Sequence, residues 1–338
     1  MVKFMEENSS TMSDYGFMDS HRELTKMLSD QDVDIKDCKH SVRYVKGEIS
    51  DEVLVKMIGK TLDFDDISLT ETNSFKFEDK HIGVLRALCE DQCYIQQLGS
   101  DNIEQVNKQG EIKQKYNIKA ANDICVTDTG DVYFTDYYNN SIGRLSPSGS
   151  VSTVISTDPL EPVGICQSVD GGLLVTLKDK ESAECKLEPQ SRRLVRHITM
   201  TGVIHEYEYQ EDGQTRLFTF PYRVTQNNNS DICVVNITDI LTGDLPILSP
   251  SGRMKSVYRG QNPAEVFFPG DVVCDSLCNI LVTDEINKQI HLLSPDGEFL
   301  KFLMTENEVN HPIKLTFCKS TLWVGYVEQV VKVFQYRV

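Results

Sequence analysis

The sequence contains no apolar run approaching the ~18–20 residues that cross a bilayer as a helix, so a membrane-spanning helix is not expected. It also lacks a basic excess: 34 Lys and Arg stand against 51 Asp and Glu, a formal net charge of −17. Phosphate recognition rests on clustered cations, so nucleic acid is not the expected partner. The first thirty residues are acidic and interrupted, without the pattern of a secretory signal. The ten cysteines are therefore expected as free thiols in a reducing, cytoplasmic setting. Zinc-site spacing is missing too, since the CxxxC pairs Cys89/Cys93 and Cys274/Cys278 have no His partner nearby. The seven histidines share no spacing and no triad context. These absences predict no metal, no cofactor and no enzyme. What is present, 40% hydrophobic and 25% charged residues, fits a folded globular chain.

A repeat organises most of that chain. Ser146-Pro147-Ser148-Gly149 recurs as Ser249-Pro250-Ser251-Gly252 and as Ser294-Pro295-Asp296-Gly297, at offsets of 103 and 45. Thr135-Asp136, Thr238-Asp239 and Thr283-Asp284 keep the same two offsets, so chance is a poor explanation. Between the markers apolar residues alternate, as half-buried strands require. Each unit holds four short strands, opened by residues such as Pro162, Pro221, Pro269 and Pro312. Weaker copies bring the count to six, beginning near residues 80, 120, 162, 220, 268 and 312. Four-stranded repeats of this length predict an all-β, six-bladed β-propeller. The last copy ends without an outer strand, which Ile67–Phe77 is placed to supply. The expected organisation is a disordered tail over 1–20, a short helical N-terminal segment within 21–66 and the propeller over 67–338. Val53, Leu54, Met57, Ile58 and Leu62 give the helical spacing, on a segment suited to self-association. The charged stretch Lys178–Gln190 reads as an exposed inserted loop.

The blade pattern Val132-Tyr133-Phe134-Thr135-Asp136 with Asn139 and Ile142, repeated at Ile280–Asp284 with Asn287 and Ile290, resembles the NHL repeat. A helical segment before such a ring resembles the C-terminal part of tripartite-motif (TRIM)-like proteins. The RING and B-box of that family have no counterpart here, so ligase activity does not carry over. The resemblance implies a platform for a protein or RNA partner.

Candidate sites follow from the frame. Asn122, Tyr222, Arg223, Asp271 and Lys314 follow or replace the residue that opens a blade, and are expected around the channel mouth. Tyr and Arg there are hot-spot types. Arg192, Arg193 and Arg196 form a second candidate surface. Protein binding is the leading expectation; RNA binding on the same face is the alternative, disfavoured by a net −10 over residues 120–338. A third reading resembles the six-bladed gluconolactonase-like hydrolases, but Arg223 and Lys314 would repel their metal. Asp136, Asp239 and Asp284 read as turn residues and the cysteines as packing.

Overall fold

The computed structural model describes residues 67–338, apart from 78–80, 120, 181–184, 200, 305–310 and 338. The expected tail and helical segment lie outside these residues, so the helical part of the fold reading has no support in the structure. Among the described residues, every helix or strand is a strand.

The chain enters as β1 (Ser68–Lys76), then forms the first blade from β2 (Ile82–Cys89), β3 (Gln92–Gln97), β4 (Asn102–Asn107) and β5 (Ile112–Asn117). The second blade comprises β6 (Ala121–Val126), β7 (Val132–Asp136), β8 (Ser141–Leu145) and β9 (Val151–Ser156). The third comprises β10 (Glu161–Gln167), β11 (Leu173–Lys178), β12 (Arg193–Thr199) and β13 (Gly202–Tyr207). The fourth holds β14 (Phe220–Gln226), β15 (Ile232–Asp239), β16 (Thr242–Leu248) and β17 (Met254–Tyr258). The fifth holds β18 (Pro269–Cys274), β19 (Ile280–Asp284), β20 (Gln289–Leu293) and β21 (Phe299–Met304). The sixth holds β22 (Pro312–Cys318), β23 (Thr321–Tyr326) and β24 (Val330–Arg337), with β1 antiparallel to β24 as its outer strand. The fold is an all-β six-bladed propeller.

Apolar side chains gather at the junctions between blades. Val84, Ile103 and Tyr116 of the first blade pack with Ile124 and Phe134 of the second, and each further junction has its own such cluster. This is the expected solution for sheets that cannot bury both faces alone. Cys125 and Cys233 belong to these clusters, and burial pushes the Cys125 thiol up to about 12.

The repeated markers have separate jobs. In the Ser-Pro-x-Gly turns, the amide of Gly149, Gly252 or Gly297 donates to the serine carbonyl at 2.9 Å, each glycine having φ of 86°. In the Thr135-Asp136 pair the threonine is a blade-to-blade staple. Thr135 Oγ1 accepts from Asp123 N (2.9 Å) and donates to the Val163 carbonyl of the next blade (3.2 Å). Thr176 does the same between Gly164 N and the Tyr222 carbonyl (2.6 and 3.4 Å). The aspartate organises the following turn: Asp136 and Asp284 each accept from the backbone and side-chain amides of Asn139 and Asn287 respectively.

A feature invisible in the repeat positions the channel. Each inner strand breaks register with its neighbour within its first few residues, at Ile82/Val84, Ala121/Ile124, Pro162/Ile165, Pro221/Arg223, Pro269/Val272 and Pro312/Lys314. A bulge re-aims side chains that would otherwise alternate. Tyr222 and Arg223, adjacent in sequence, thereby reach the same space.

Candidate functional site at the channel mouth

At the end of the ring where the inner strands begin lies a cavity of about 1010 Å³. Asn122, Tyr222, Arg223 and Lys314 all line it, with Phe220 and Phe268 among its apolar walls. That volume suits a small-molecule or peptide-end site.

Tyr222 is on its wall, between two cations. Arg223 Nη2 donates to the Tyr222 hydroxyl at 3.1 Å, and Lys314 Nζ donates to it at 3.4 Å. The Arg223 guanidinium also lies 4.0 Å from the Tyr222 ring centroid, and Lys314 Nζ 5.2 Å from it. Both arrangements favour cations against the ring face. The two cations draw the phenol below its ordinary pKa, Arg223 first and Lys314 second, against the opposing effect of burial. The other way round holds for most tyrosines of this fold: burial pushes those at positions 94, 258, 326 and 336 up.

Beneath the phenol is a buried charge cluster. Arg86 Nη2 donates to Asp123 Oδ1 at 2.8 Å, and Arg223 Nε lies 4.0 Å from Asp123 Oδ2. Burial alone would raise the Asp123 carboxyl, but Arg86 and Arg223 outweigh it and hold it below the usual range. Burial likewise opposes the Arg86 charge, and Asp123 and Asp271 outweigh it. Asp123 and Asp271 are equivalent staples. Asp123 accepts from Ile124 N and, across the junction, Ile165 N; Asp271 accepts from Val272 N and Leu315 N. Asp271 is thus turned into the blade junction rather than onto the cavity surface. On the cavity wall itself Arg223, Lys314 and Lys186 stand against Asp239 and Glu285, with Arg223 and Lys314 the cations beside Tyr222.

Sequence reasoning passed over Arg86 and Asp123. The available signals were an arginine inside the apolar run Ile82–Cys89 and an aspartate beside the mouth residue Asn122. The Lys178–Gln190 insertion, which reads in the sequence as an exposed loop, brings Cys185 and Lys186 to the cavity wall. Arg192, Arg193 and Arg196 are elsewhere, in and beside β12, and are engaged with carboxylates. Arg192 bonds Glu206 and Glu208, Arg196 bonds Glu206, and Arg193 is fully buried 3.6 Å from Asp179. They form an ion-pair network on the third blade rather than an open basic patch. Among the described residues, no three His, Cys, Asp or Glu side chains gather as a metal-ligand group.

A second cavity of about 530 Å³ adjoins the first, sharing Gly83, Leu98, Ala121 and Asn122 with it. It runs toward Tyr137 and Tyr138, whose ring centroids are 4.1 Å apart, and the Glu161–Lys178 pair at 2.8 Å.

The sequence matches no protein-family model and no curated sequence. Solved structures of similar fold include a streptogramin B lyase, 18% identical over 82% of this chain and all of that one, with a TM-score of 0.55. A proposed gluconolactonase is 15% identical over 81% of this chain and 96% of that one, with a TM-score of 0.59. The PQQ-bound aldose sugar dehydrogenase of Streptomyces coelicolor is 10% identical over 80% and 98%, with a TM-score of 0.57. At these identities the likeness establishes the propeller, and the function of those proteins remains theirs. It does correct one expectation. Missing RING, metal-ligand and triad patterns predict a non-enzymatic protein, yet propellers of this form include enzymes named as lyase and dehydrogenase. Nor do NHL or TRIM proteins figure among these neighbours; the six-bladed ring is the part of that resemblance the structure supports.

Proposed function

We propose that the channel mouth is an acid–base catalytic site for an organic anion, with Tyr222 as the proton-transfer group. The observation that carries this is the Tyr222 hydroxyl held between Arg223 and Lys314 on the wall of a large cavity. A carboxylate on the substrate would pair with Arg223 and Lys314 at the cavity wall. Ionised Tyr222 would take a proton from the carbon beside that carboxylate, and the two cations would stabilise the negative charge that develops. Where a leaving group stands on the next carbon, the electron pair expels it and Tyr222 returns the proton, giving an alkene and the protonated leaving group. This is lyase-type chemistry. A metal-dependent lactonase is a weaker reading, because Arg223 and Lys314 flank the mouth and both channel aspartates are saturated by backbone amides.

Hexanoate titrated into the protein near pH 9, followed by tyrosinate absorbance, tests the site without knowledge of the substrate. An anion on Arg223 and Lys314 neutralises the charges that acidify Tyr222, so the signal should fall as hexanoate binds. No change in wild type, or an equal change in Tyr222→Phe, would contradict the reading.

A further inference from the structure

The anion site is surrounded by more apolar surface than a small acid can use. Leu98 is 67% exposed between β3 and β4, Tyr138 is 64% exposed between β7 and β8, and Ile240 and Leu241 are 79% and 58% exposed between β15 and β16. All three connections belong to the hairpins that overhang the mouth, and Leu98 and Ile240 line the cavity itself. Exposed apolar residues scattered singly need no explanation, whereas a set arrayed around one charged opening marks a contact surface. They sit on the first, second and fourth blades, and Tyr138 and Leu241 lie outside the lining of the main cavity.

We infer that the natural ligand is a polypeptide that inserts its C-terminal carboxylate into the channel mouth while its preceding apolar residues pack on this crown. Depth favours a chain end over an internal acidic side chain. Arg223 and Lys314 are only 3% and 5% exposed, so their charges are met at the bottom of the cavity. A chain end enters as a single strand, but an internal residue must bring two flanking segments through the same opening. Charge supports the choice as well. The cations facing the mouth are few, Arg223 and Lys314 beside Tyr222, whereas the whole chain carries −17, which disfavours a polyanion such as RNA over a ligand with a single terminal charge. The adjoining 530 Å³ groove gives the peptide a path outward from the mouth over Tyr137 and Tyr138. This inference rests on the anion site proposed above and names the substrate class of that site.

The test uses the full chain and a pool of fluorescent, N-terminally labelled pentapeptides ending in leucine or phenylalanine, prepared as free carboxylates and as carboxamides. Anisotropy should show the carboxylates binding at least about tenfold more tightly, a difference of about 1.4 kcal/mol. Arg223→Gln should remove that preference. The double variant Tyr138→Ser with Leu241→Ser, both outside the lining of the main cavity, should weaken peptide binding by about fivefold or more while leaving hexanoate binding within about twofold. Equal binding of carboxylate and carboxamide, insensitivity to the crown variant, or tighter binding of a short oligouridylate would each overturn the inference. If hexanoate still perturbs Tyr222 in those cases, the anion site stands and only the peptide assignment falls. If hexanoate has no effect either, the underlying reading has failed.

Discussion

Asp123→Asn isolates the buried charge cluster on which the site is built. Asp123 is 2% exposed and its carboxylate has four neighbours: Arg86 at 2.8 Å, Arg223 at 4.0 Å, and the amides of Ile124 and Ile165. Asparagine keeps the shape and one oxygen. It removes the countercharge from two buried guanidinium groups and turns an N–H toward a backbone N–H that needs an acceptor. Breaking a buried pair by removing one partner costs about 3–5 kcal/mol. An orphaned amide costs a further 1–3 kcal/mol or so, and the two effects overlap because they share one side chain. We expect a loss of about 3–5 kcal/mol by urea denaturation, or a fall in Tm on the order of 10 °C for a ring of this size. Arg86→Met alone should also destabilise. In the double variant the two losses should fall short of adding, with a coupling of at least about 1 kcal/mol. A second readout separates electrostatics from packing: without the Asp123 charge, the field of Arg223 is less compensated and Tyr222 should ionise at still lower pH. A stability loss under about 1 kcal/mol, or strict additivity with Arg86→Met, would refute the reasoning.

Other consequences follow from the same structure. His291 is buried among Tyr258, Phe267 and Phe302, and burial lowers its pKa to about 4 from 6.5. Because the folded value lies below the unfolded one, the neutral ring's contribution is complete above about pH 6.5 and is lost as pH falls toward 4. Up to about 3 kcal/mol should disappear across that window, and His291→Gln should flatten the slope in urea titrations. Gly252→Ala should cost clearly more than Gly130→Ala in thermal melts. Both glycines have φ above +80°, but a Cβ at Gly252 would meet the Tyr207 ring at 2.7 Å, whereas Gly130 faces nothing within 4 Å. Arg223→Gln should raise the Tyr222 pKa in tyrosinate titrations, because the largest acidifying charge is gone and burial then acts with less opposition.

The ring was legible because its punctuation is local chemistry. A Ser-Pro-x-Gly turn needs proline to preset one φ and glycine to accept a positive one, so the same tetrapeptide recurs wherever the same turn does. The threonines left an equally regular trace at 135 and 283, where each accepts from the inner-strand amide of Asp123 or Asp271, although at 238 the residue is spent on Thr242 instead. The site was less legible, because three-dimensional features create it. The register breaks at the start of each inner strand leave no composition of their own, and they decide that Tyr222 and Arg223 point into one space. Arg86 sits in an apolar run and meets Asp123 only through the ring, 37 residues away. The Arg192, Arg193 and Arg196 cluster shows what a linear reading leaves out. Local charge made it look like an open patch, and its partners Glu206 and Glu208 lie across a hairpin that a linear reading does not fold.

The central claim is that two cations make Tyr222 an unusually acidic phenol. Spectrophotometric titration of tyrosinate between pH 7 and pH 11, taken as the difference between wild type and Tyr222→Phe, measures this directly. The account predicts one tyrosine in that difference ionising below the ordinary value of 10, moving upward in Arg223→Gln. A difference titrating at or above 10 would contradict it.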